Sequence, residues 1–108
     1  MLKVESESGA LEVEVRTSPQ PPTRGKNVVQ LKVTTAQDGQ GVAGLQLDVQ
    51  PWMPDMGHGS SVTPTVTDEG GGVYLVDDVY LAMPGTWQLR TTLAGTSSDH
   101  ATPSFQIP

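Results

Sequence analysis

The strongest constraint on the fold is an alternation of apolar and polar residues that recurs in short runs and never lengthens into a helical period. Leu11, Val13 and Val15 alternate with Glu12, Glu14 and Arg16. Val29, Leu31 and Val33 do so with Gln30 and Lys32, and Leu45, Leu47 and Val49 with Gln46, Asp48 and Gln50. Side chains of a strand point to opposite faces in turn, so each run describes a strand with one buried face. Proline and glycine stand between the runs. Pro19, Pro21 and Pro22 end the first, because proline cannot donate to a ladder, and Asp38-Gly39 with Gly41 marks a turn after the second.

Farther along, residues 63–67 read as a short strand beginning at Pro64, followed by a flexible turn at Gly70-Gly71-Gly72. Residues 73–81 are β-branched and aromatic, but their parity changes. Tyr74 and Val76 share one phase and Val79 and Leu81 the other, which predicts a bulge or turn at Asp77-Asp78. Met83-Pro84-Gly85-Thr86 has proline and glycine where a type II turn wants them. Trp87, Leu89, Thr91 and Leu93 alternate in the next strand, with Trp87 the large core residue. Residues 95–99 read as a loop, and Phe105 and Ile107 share one face of a closing strand. About seven strands at roughly ten-residue spacing predict an all-β, immunoglobulin-like β-sandwich. Residues 1–108 form a single domain, and the polar residues 1–10 are expected to be a loose lead-in.

Composition excludes several function classes. Six Lys and Arg residues against twelve Asp and Glu leave a net charge of −6, the wrong balance for nucleic acid or an anionic membrane surface. With no cysteine there are no disulfides, thiolate nucleophiles, blue-copper centres or cysteine zinc sites. No run of about 18 apolar residues is present to span a membrane. The acidic residues Asp68, Glu69, Asp77 and Asp78 lack the spacing of a calcium loop and read as solvated strand ends. Gly70 to Gly72 is not followed by the Lys and Ser/Thr of a phosphate loop. Two histidines and no assignable nucleophile–base pair give no case for an enzyme.

The alternation breaks most sharply at Trp52-Met53-Pro54-Asp55-Met56-Gly57-His58-Gly59. Here two thioethers and an imidazole fall within six residues at the end of a strand. Met53, Met56 and His58 are soft or borderline donors of the kind that suits Cu(I). Pro54 restricts the segment, and Gly57 and Gly59 permit the angles needed to curl it. Met83 precedes the Pro84-Gly85 turn as Met53 precedes Pro54. It becomes a fourth donor if both bends lie at one end of the sandwich. His100 sits in a polar segment and reads as solvated. In the competing reading, the methionines pack under the sandwich edge as gap fillers and His58 stays in solvent.

The segment Pro51-Trp52-Met53-Pro54-Asp55-Met56-Gly57-His58-Gly59, then Pro64, Gly72-Val73-Tyr74, and Met83-Pro84-Gly85-Thr86-Trp87-Gln88-Leu89 together resemble the YtkA-like domain over about residues 11–107. FixH-type proteins, tied to copper delivery and cytochrome oxidase assembly, are similar, although their transmembrane anchor has no counterpart in this sequence. The resemblance implies a periplasmic or otherwise extracytoplasmic domain whose export signal or anchor lies outside this sequence. It further implies copper binding, with donors falling on Met53, Met56, His58 and Met83, and a metallochaperone role beside a copper-transport or oxidase-assembly protein. The alternative function is a metal-free interaction module using an exposed Trp52 and its neighbouring methionines.

Overall fold

The computed structural model describes residues 2–20, 22–60, 62–95 and 98–108. In chain order its strands are β1 (Leu2–Glu5), β2 (Leu11–Ser18), β3 (Gly25–Thr35), β4 (Gln46–Met53), β5 (His58–Gly59), β6 (Thr65–Gly70), β7 (Val73–Leu81), β8 (Gly85–Ala94), β9 (Ser98–Ala101) and β10 (Ser104–Ile107). One sheet has the order β1-β2-β3-β7-β6. The other has the order β10-β8-β4-β5, with β9 also pairing β8. Every pairing is antiparallel. No helix among the described residues is long and apolar enough to cross a membrane.

The core lies between the two sheets and is built from the alternating residues. Val13, Val15, Val29, Leu31, Val33, Tyr74, Val76, Val79 and Leu81 meet Val49, Met53, Trp87, Leu89 and Leu93. This is the immunoglobulin-like sandwich that the alternation predicts, because a one-residue slip would turn each of these rows into solvent. All seven expected strands are present as β2, β3, β4, β6, β7, β8 and β10. The parity change at Asp77-Asp78 is a bulge. Asn27 pairs with Val79 and Val29 with Val76, so one residue of β3 faces two of β7. Asp78 takes φ +61° there, and both Val76 and Val79 stay buried.

Several boundaries differ from the sequence expectation. β2 ends at Ser18, where a cis Ser18–Pro19 bond begins the connection; Pro21 lies outside the described residues. Gly85 takes φ +132°, well beyond the about +80° of a type II turn, so Met83 and Pro84 form an open bend. The expected loop at residues 95–99 gives way to β9 from Ser98 onward, with Thr96 and Ser97 outside the described residues.

The largest difference is at the N-terminus, where a loose lead-in is expected. Instead Leu2 to Glu5 pair with Glu12 to Val15, and Leu2 and Val4 pack on the core. The segment that follows is fastened to β9. The Ser8 hydroxyl and backbone N–H both donate to the Asp99 carboxylate, at 2.5 and 3.2 Å, and the Glu7 N–H donates to the His100 carbonyl at 2.7 Å. Burial of Asp99 pushes its pKa upward. The hydroxyls of Ser8 and Ser6 and the N–H groups of His100 and Ser8 outweigh that and hold it at about 2. The folded value lies below the unfolded one, so this contribution is complete above about pH 4 and is lost as pH falls toward 2. Asp99→Asn is expected to lower stability at neutral pH by about 1–2 kcal/mol. It should also flatten the acid limb of a denaturation-versus-pH curve between those two values.

Candidate metal centre at one end of the sandwich

β4 carries the chain to one end of the molecule and stops at Met53. The Met53 carbonyl accepts the N–H groups of Met56 at 3.2 Å and Gly57 at 2.9 Å, closing a tight turn over residues 54–57. Gly57 sits at φ +68°, a conformation L side chains resist. β5 then returns along β4, with His58 opposite Met53 and Gly59 opposite Trp52. The segment is thus a short hairpin. Residues paired directly across two strands present their side chains on one face, so Met53 and His58 share a face on which Met53 is buried and His58 exposed.

The second bend arrives at the same end because β7 runs toward it and β8 begins there. Three contacts join the two. Met53 is buried, and its terminal methyl lies so close to Gly85 that a Cβ on that glycine would fall 2.9 Å from it. The His58 ring meets the edge of Trp87 with centroids 6.4 Å apart and planes at 73°. The Trp87 indole N–H donates to the Met83 carbonyl at 2.9 Å. Met53, His58 and the Met83 bend are therefore brought together. Met56 takes no part in these contacts: it stands on the hairpin turn, 56 % exposed, and Met83 is 36 % exposed.

His58 Nδ1 lies 3.2 Å from the Gly59 carbonyl. The tautomer that donates there leaves Nε2 bare, the arrangement usual for a metal-ligating histidine. Among the described residues no three His, Cys, Asp or Glu side chains gather as they would around a metal ion. His100 is elsewhere, exposed on β9 opposite Thr92, five positions along β8 from Trp87.

Two residues of this end escape a reading of the sequence. Arg90 lies over the Trp52 ring, 4.6 Å from its centroid, so the expected exposed tryptophan is a half-buried ring beneath a guanidinium. Gly85 is legible as a turn residue but not as the seat of the Met53 methyl. The one available signal was the spacing of Met83 and Trp87, four residues apart across an open bend.

Comparison with known families matches the YtkA-like family over residues 5–92, a span that includes both bends. The chain belongs to the YtkA-like family. No curated protein matches it, and no solved structure does. The family match ends within β8, so β9 and β10 of this YtkA-like domain lie beyond it.

Gly85→Ala is expected to cost about 1–3 kcal/mol, since it adds a methyl against Met53 at a φ that favours glycine. Gly57→Ala, with open space around its Cβ position, should cost only about 1 kcal/mol. Chemical denaturation of the two variants checks the difference.

Proposed function

We propose that this YtkA-like domain is an extracytoplasmic copper-binding module that holds Cu(I) through Met53, Met56, His58 and Met83, for transfer or homeostasis, and that it is not an enzyme. The observation that supports this most is the meeting of the hairpin and the Met83 bend at one end of the sandwich. It sets Met53 beside Gly85 and His58 beside Trp87, whose indole N–H is held by the Met83 carbonyl. Thioethers need no deprotonation and favour a soft monovalent ion. The residues present suit that ion: the His58 tautomer that donates to the Gly59 carbonyl has Nε2 free, and Met56 and Met83 are accessible from solvent. In this reading Met53 and His58 form the inner part of the site. Met56 and Met83 close over it from the two bends, and a copper-transport or oxidase-assembly protein is the partner that exchanges the ion.

The rival reading, a metal-free interaction module, draws support from the exposure of Met56 and Met83 at one end. It loses its aromatic anchor, because Trp52 is engaged by Arg90. Met56→Leu separates the two, since it keeps volume and apolarity but removes the donor. An anaerobic competition titration should give one Cu(I) per chain with a Kd tighter than about 1 μM and much weaker Zn(II) binding. Met56→Leu, Met83→Leu and His58→Ala should each weaken Cu(I) binding by about tenfold or more. Uptake no tighter than micromolar, or affinity unchanged in all three variants, would sink the copper reading.

A further inference from the structure

We propose that the outer edge of β1 pairs with the same edge of a second copy of this chain, antiparallel about a two-fold axis at Val4, to form a dimer. β1 is the edge strand of its sheet and pairs only with β2. Among the described residues no strand lies against its other side.

Two hydrogen bonds fix which backbone groups point outward. The Ser6 N–H donates to the Leu11 carbonyl at 2.9 Å, and on the far side of β2 the Ala36 N–H donates to the Ala10 carbonyl at 3.0 Å. Backbone polar groups alternate in direction along an antiparallel strand. With Ser6 turned toward β2, Val4 and Leu2 turn the same way. Lys3 and Glu5 therefore direct their N–H and carbonyl groups away from β2, and both residues are exposed. Such an edge is a template for strand addition.

Charge then selects the occupant and the register. An added antiparallel strand must set outward-facing residues opposite one another. Lys3 opposite Lys3, or Glu5 opposite Glu5, would oppose like charges. The remaining register sets Lys3 opposite the partner's Glu5 and, by symmetry, Glu5 opposite the partner's Lys3. The half-buried Val4 then meets its own copy across the axis on the inner face. A single chain leaves Glu5 in need of this contact. It lies directly opposite Glu12, and among the described residues no Lys or Arg is within ion-pair distance of it. Lys3 reaches Glu12 at 3.5 Å, but its side chain stays 56 % exposed. A lone edge lysine repels an added strand; here the glutamate two residues on is its complement. β1 starts toward the Met/His end, because Leu2 pairs with Val15 and β2 runs on to the start of β3, which pairs with Leu81. Antiparallel pairing therefore points the two Met/His ends apart.

A contact through one four-residue strand is small, so the dissociation constant should lie between roughly 10 μM and 1 mM. The test is sedimentation equilibrium of the full chain without metal, up to about 1 mM, with amide resonances followed over the same range. A dimer should form with concentration, with shifts centred on Lys3, Val4 and Glu5. Glu5→Lys sets a lysine opposite Glu12, which favours β1 within the chain, yet sets lysine against lysine between copies. It should weaken association by about tenfold or more. Mixing it with the likewise weakened Lys3→Glu should restore a heterodimer, since every facing pair is then of opposite charge. Met56→Leu should leave association unchanged, which keeps this result independent of the copper reading. A chain monomeric at about 1 mM, undiminished association of Glu5→Lys, shifts confined to other strands, or no recovery in the mixture would each overturn the proposal.

Discussion

The candidate site depends on the packing of Trp87. It is the largest of the fully buried side chains, so its position is set by the contact between the two sheets. An indole N–H buried without a partner would carry a desolvation penalty, and the Met83 carbonyl removes it. That single bond fixes the second bend relative to the core. The ring edge meets His58 of the hairpin, and two positions before Trp87 the missing side chain of Gly85 admits the Met53 methyl. The end of the sandwich that carries the candidate donors is therefore an extension of the core, and whatever loosens the core there also separates the two bends.

Where one face of a strand is buried, the sequence carried the structure clearly, because the alternation has no other use. The bulge at Asp77-Asp78 was legible for the same reason: Val76 and Val79 have opposite parity, and only an extra residue lets both face inward. The pairing of Met53 with His58 was not legible, since a six-residue segment reads equally as a hairpin or an open loop. The strand at Leu2–Glu5 escaped notice because Leu2 and Val4 supply only one repeat of the pattern before the polar residues begin. What fastens the next residues is Asp99, 91 positions away from Ser8, and no local pattern carries a contact of that separation. Trp52 reads as exposed for the same reason, since the guanidinium above it belongs to a neighbouring strand.

The N-terminal clamp and the Met/His end rest on opposite stretches of β8. β10 covers its first residues and β9 its last, and the Asp99 network is tied to the second of these. Met53 and Trp87 belong to the first. Acid that protonates Asp99 acts on the far stretch of β8, away from Met53 and Trp87.

The hairpin also explains why β5 is so short. To place His58 opposite Met53 the chain must reverse within residues 54–57, and it does so with proline and a positive-φ glycine. To reach β6 in the other sheet it must then leave β4 almost at once, and it leaves after Gly59. A longer β5 would delay the crossover to the facing sheet. A Cβ at Gly59 would fall 2.9 Å from the Pro51 carbonyl, so β5 also ends where the strands come unusually close. The tight reversal that sets His58 opposite Met53 and the shortness of β5 are two consequences of one early crossover.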